Sequence, residues 1–142
     1  MKTSARNCLN GIVRAITSGA VNDEIELEVA GGHTVVATVT RHSTQSLGLA
    51  AGSPAFALVK ASSIILMADC SRIRLSARNQ FTGRVRQWVE GAVNSEVTLE
   101  VAPGLEFTAI VTRASAQELG VAEGIELTAV FKASSVLLGV ES

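Results

Sequence analysis

The chain has no tyrosine, one tryptophan and four phenylalanines, so aromatic residues make up only 4% of it. Proteins that hold single-stranded nucleic acid stack bases on exposed rings along a basic groove, and this composition offers little for that. Positive charge is not in excess either. Twelve Lys and Arg stand against 13 Asp and Glu, a formal net charge of -1, which gives no general pull toward phosphates or anionic lipid. The two cysteines, Cys8 and Cys70, differ in context and show no metal-ligand spacing, so both are read as reduced thiols. The longest apolar stretch, Ile64 to Ala68, is far too short to cross a bilayer. Met1 to Cys8 lacks the apolar centre of a secretory signal. A cytoplasmic location with no membrane and no nucleic-acid partner is expected. What is abundant is aliphatic: 47% of the 142 residues are hydrophobic and the mean hydropathy is +0.35, too apolar for a disordered chain.

Much of this sequence is written twice. A shift of 72 residues lays Ser4-Ala5-Arg6-Asn7 on Ser76-Ala77-Arg78-Asn79 and Gly19-Ala20-Val21-Asn22 on Gly91-Ala92-Val93-Asn94. It also lays Val39-Thr40-Arg41 on Val111-Thr112-Arg113 and Lys60-Ala61-Ser62-Ser63 on Lys132-Ala133-Ser134-Ser135. From Ser4 to Met67 the alignment needs no gap, and 33 of its 64 positions are identical. Two domains are expected, over residues 2–68 and 74–140, with a short rigid junction at 69–73 that holds neither Gly nor Pro. A copy of about 70 residues supports only a marginal core. Packing between copies, and between chains in a homo-oligomer, is expected to supply the remainder.

Within a copy the hydrophobic period is that of strands. Glu24-Ile25-Glu26-Leu27-Glu28-Val29 alternates acid and aliphatic, which predicts an antiparallel strand with one buried face and a solvated row of carboxylates. A β-rich segment from Gly11 to Thr17 precedes it, and a third strand from Val35 to Thr40 follows the Gly31-Gly32 turn. Ser43 to Gly48 has a Ser start and a Gly stop, which suggests one or two helical turns. Ala55 to Val59 and Ile64 to Met67 complete five strands. The predicted fold class is all-β with short helical inserts: two tandem OB-type five-stranded Greek-key barrels. Phe56, Phe107 and Phe131 lie in apolar runs that place them in the core.

Four segments occur in the same order in both copies: Ser-Ala-Arg-Asn, Val-Asn-x-Glu, a Thr-x-x-Ser before Leu-Gly, and Lys-Ala-Ser-Ser. In these the chain resembles the Mop (molbindin) domain over nearly its whole length, and most closely the tandem form used for storage. The resemblance implies intracellular binding, storage and homeostasis of molybdate, with tungstate as a surrogate, no cofactor and no direct protein ligation of the metal. It also implies that the Ser-Ala-Arg and Lys-Ala-Ser parts of one domain meet the Thr-x-x-Ser of another. Six domains, a trimer of tandem chains, would form the full assembly. Asn22 and Asn94 are assigned to a second type of site near the threefold axis.

The chemistry of the matched residues agrees. A tetrahedral dianion presents only acceptor oxygens, so its site must be built of donors. The candidate oxyanion ligands are Ser4, Arg6, Thr40, Ser43, Lys60, Ala61 and Ser62 in the first copy, and Ser76, Arg78, Thr112, Ser115, Lys132, Ala133 and Ser134 in the second. None of these segments contains Asp or Glu. Charge-assisted hydrogen bonds contribute about 1.5 to 3 kcal/mol each, so several reach the roughly 8 kcal/mol of micromolar binding.

Two other readings fit such a barrel. A sensor or adaptor would bind the oxyanion and then another protein, while an OB-fold nucleic-acid binder would need the rings and charge that are missing here. Enzyme activity is not expected. His33 and His42 face Leu105 and Ala114 in the second copy, so a histidine-based catalytic or metal site would serve only half of the protein. Trp88 faces Ile16 and is read as a packing residue.

Overall fold

A computed structural model describes residues 1–142. The first copy forms β1 (Asn7–Ser18), β2 (Asn22–Glu28), β3 (Thr34–Thr40), α1 (Arg41–Ser46), β4 (Pro54–Val59) and β5 (Ile65–Met67). The second forms β6 (Asn79–Glu90), β7 (Asn94–Ala102), β8 (Leu105–Thr112), α2 (Arg113–Leu119), β9 (Glu126–Phe131) and β10 (Val136–Gly139). A 3-10 turn precedes each last strand, at Ala61–Ser63 and Ala133–Ser135. The strands curl into two five-stranded antiparallel half-barrels, the tandem OB-like arrangement.

The last strands are exchanged between the copies. The sheet orders are β10-β4-β1-β2-β3 and β5-β9-β6-β7-β8. Val136 to Gly139 therefore pair with Val59 to Phe56, and Ile65 to Met67 with Val130 to Thr128. Each half-barrel is completed by a segment of the other copy. One buried cluster of 27 hydrophobic residues accordingly draws on both.

The alternation predicted for β2 is present: Ile25 and Leu27 are fully buried, and Glu24 and Glu26 lie on the opposite face. β1 is longer than the sequence pattern suggested. Its first half pairs with β4 and its second with β2, and Gly11 sits at the handover, where a Cβ would overlap the Glu28 carbonyl oxygen. Gly83 stands in the same relation to Glu100 in β6. These two close approaches let the strands bend into half-barrels.

Two local expectations are corrected. The helical insert starts at Arg41, two residues before Ser43, because Thr40 is the N-cap and its side chain accepts a hydrogen bond from the Ser43 amide. Phe56 points outward and packs beside Gly139 on β10, since the inward positions of β4 are Ala55, Ala57 and Val59. Its place in the core is taken by Phe81, which stacks on Phe107 at 4.8 Å and on Phe131 at 5.8 Å between ring centres.

Candidate functional site

The residue after each site arginine is an asparagine at an inward strand position, where an aliphatic residue would ordinarily stand. Asn79 is fully buried, and its amide accepts from the Val36 N–H (2.8 Å) and donates to the Val36 carbonyl (2.7 Å). Asn7 does the same to Thr108, at 2.7 and 2.8 Å, and also donates to the Val59 carbonyl. Each side chain thus acts as an added rung on the third strand of the other copy. The entrance of β6 is fixed against β3, and the entrance of β1 against β8. Sequence reasoning assigned these asparagines no role, although a polar residue at an apolar phase of both copies was a visible signal.

That clamp determines what meets Arg78. Ser76, Ala77 and Arg78 join Lys132, Ala133 and Ser134 around one open concavity of about 240 Å3, and the opposing wall is Thr38 of β3. Two of the three expected segments therefore converge, and the third element comes from the other copy. The expected residue on that strand was Thr40, but the wall residue is Thr38, two positions earlier on the same face. Thr40 and Ser43 are hydrogen-bonded to each other, hydroxyl to hydroxyl at 2.8 Å, as the cap of α1. Thr112 and Ser115 repeat this at α2. Neither pair lines the concavity.

The mirror arrangement uses the first copy. Its Lys60-Ala61-Ser62 turn packs on β8, as the Lys132-Ala133-Ser134 turn packs on β3, and Ser4 and Arg6 precede β1. Lys60 and Lys132 are exposed and belong to none of the four ion pairs of the chain. Asn22 and Asn94 are exposed and pair across their ladders with Thr40 and Thr112. They lie beside the helix caps, away from the Arg78 concavity.

The carboxylate row is not simply solvated. Glu96 of β7 takes both terminal nitrogens of Arg6, at 2.5 and 2.6 Å, and Glu24 of β2 takes Nη1 of Arg78. The hydrogen bonds of Arg6, and to a lesser extent its charge, hold the Glu96 carboxyl below its ordinary range against an opposing desolvation, and Glu96 raises Arg6 in return. The donor segments hold no acid themselves, yet each arginine meets one from the other copy.

Asp69, Cys70, Ser71 and Glu126 share a separate open concavity of about 480 Å3 at the junction of the copies. No three His, Cys, Asp or Glu side chains are grouped to hold a metal ion. Cys70 donates to the Thr128 hydroxyl at 3.2 Å. His33 is half-buried with its ring edge on Phe81, and His42 is exposed. Trp88 is partly buried against the core. No helix is long and apolar enough to cross a membrane.

The TOBE domain profile matches residues 3–66 and 75–138. The chain is 44% identical over 140 residues to the molybdenum-pterin-binding protein MopA of Rhodobacter capsulatus, covering 99% of this chain and 53% of that one. It is equally 44% identical over 140 residues to the molybdenum transport protein ModE of Azotobacter vinelandii, covering 99% and 52%. The chain spans about half the length of these curated relatives. A crystal structure of the cytoplasmic molybdate-binding protein ModG with molybdate bound superposes with a TM-score of 0.96 at 49% identity, covering 99% of this chain and all of that one. The chain belongs to the TOBE domain family, as a tandem of two Mop-type domains.

Proposed function

We propose that this protein binds and stores molybdate, and tungstate in its place, at composite sites formed where the start and the last turn of one copy meet the third strand of the other. The observation that carries this reading is the convergence of Ser76, Arg78, Lys132 and Ser134 with Thr38 around one concavity, in a chain that matches molybdate-bound ModG over its full length. These groups supply cations and hydroxyls, the donors that an acceptor-only dianion requires. The bond to the metal stays within the oxyanion, so release needs no redox step and no ligand exchange at molybdenum. Ser4, Arg6, Lys60, Ala61 and Ser62 form the matching site; Thr40 with Ser43 stands at the strand end beyond Thr38, outside the lining of the Arg78 concavity, and Thr112 with Ser115 stands at the equivalent place. Asn22 and Asn94 belong to a further site where chains meet in a trimer.

A nucleic-acid role has little stacking surface, since Phe81, Phe107 and Phe131 are buried and only Phe56 and Trp88 are partly exposed. A cytoplasmic setting, as for ModG, agrees with two free thiols.

The deciding experiment equilibrates the purified chain with molybdate, tungstate or sulfate, desalts it, and measures retained metal or sulfur by mass spectrometry. Retained molybdenum and tungsten with little sulfate is the expected result. No molybdenum retained at micromolar supply overturns the reading.

A further inference from the structure

The two composite sites are not copies of each other. Thr38, the wall of the Arg78 concavity, is replaced by Ile110 at the matching place on β8. Thr38 pairs across its ladder with Glu24, and Ile110 with Glu96. Each is therefore the direct cross-strand neighbour of the carboxylate that holds the site's arginine. An anion oxygen brought against Thr38 exchanges water for a hydroxyl donor. Brought against Ile110, it loses water and gains nothing in return.

The arginines are also held differently. Arg6 gives Nη1 and Nη2 to the two oxygens of Glu96, whereas Arg78 gives Nη1 alone to Glu24. Of the five guanidinium N–H groups, three remain for an incoming dianion at Arg6 and four at Arg78, and the paired carboxylate repels the dianion at both. Arg6, fixed at two nitrogens, is the less free to turn toward the ligand. Both differences disfavour the same site.

We infer that the two oxyanion sites of one chain are unequal: the Thr38–Arg78–Lys132 site fills first, and the Ile110–Arg6–Lys60 site holds its anion more weakly because Glu96 competes for Arg6. This rests on the molybdate-binding reading above. The sites are expected to differ by about tenfold, the ratio that about 1.4 kcal/mol, less than one charge-assisted hydrogen bond, produces.

The test titrates the full chain with sodium molybdate in a calorimeter and counts bound molybdenum by mass spectrometry. At least two affinity classes are expected, the tighter abolished by Arg78→Ala and the weaker by Arg6→Ala. Ile110→Thr combined with Glu96→Gln should bring the weaker class toward the tighter. Thr38→Ile should bring the tighter toward the weaker. A single class for both sites overturns the inference while leaving molybdate binding intact, as does an isotherm that neither exchange alters. Weaker binding in Glu96→Gln alone would show that Glu96 positions Arg6 for the anion and would overturn its role as competitor. Absence of any bound molybdenum removes the functional reading and the inequality with it.

Discussion

A cation serves an anion site only while some of its donors can turn toward the ligand. Arg78 meets this condition with one nitrogen on Glu24, and Lys132 meets it with no ion pair at all. Arg78→Ala and Lys132→Ala are each expected to weaken molybdate binding by about tenfold or more, the loss of one charge-assisted hydrogen bond. Thermal unfolding should stay close to that of the unaltered chain, because both residues are exposed; retained molybdenum and a melting curve check the two halves of this statement. Glu96 adds a pH dependence. Its folded pKa lies below the unfolded value, so the Arg6–Glu96 pair stabilises the fold above the ordinary carboxylate range and stops doing so as pH falls through the depressed folded value. Arg6 is exposed and Glu96 partly so, and solvent screening keeps the effect small. In urea unfolding from about pH 7 to about pH 3, the stability difference between the unaltered chain and Glu96→Gln should shrink toward zero at the acid end. The arginines and lysines were legible in the sequence as donors because they recur in short segments. Their acidic partners were not, since Arg78 and Glu24 are 54 residues apart and meet only through the packing of one copy on the other.

At the scale of the element, alternation and turn residues located nearly every strand, because a half-buried sheet imposes a period of two on the sequence. Strand exchange left no such mark. The apolar residues of β5 and β10 would satisfy either sheet, and nothing in their pattern names a partner. The exchange makes a specific prediction for Leu138, which is buried on β10 and sits opposite Ala57 of β4. Leu138→Ala is expected to cost about 2 to 5 kcal/mol, and faster amide hydrogen exchange should appear along β4 of the first copy rather than along β9 of its own. Preferential loss of protection in β9 would contradict the exchanged pairing. The asparagine clamp works between elements in a similar way. Asn79→Ala leaves the Val36 N–H and carbonyl without their partner in a buried setting, a loss of about 2 to 4 kcal/mol. It also releases the entrance of β6 that carries Arg78. Molybdate capacity and denaturant midpoint should therefore fall together, unlike in Arg78→Ala.

For the molecule as a whole, the shared core means that neither copy is finished alone, yet the surface still carries apolar residues that no intrachain contact covers. Val21 and Val93 are 72% and 73% exposed at equivalent turn tips, each next to Asn22 or Asn94, and Val89 is 55% exposed nearby in sequence. Apolar groups placed alike in both copies and beside donor amides fit a surface that meets other chains around an axis. Covering one valine contributes about 1.5 to 3 kcal/mol, and a symmetric assembly repeats that contribution in every chain. Light scattering at micromolar concentration should return three times the 14.8 kDa of one chain. The double variant Val21→Asp and Val93→Asp, which sets like charges against one another in the assembly while leaving the core untouched, should shift the mass toward the monomer with secondary structure retained. The Arg78 concavity is completed within one chain, so that monomer should keep its tight molybdate class and lose only ions held between chains. A variant that stays trimeric would place the interchain contact elsewhere on the surface, and a monomeric unaltered chain would remove the need for one.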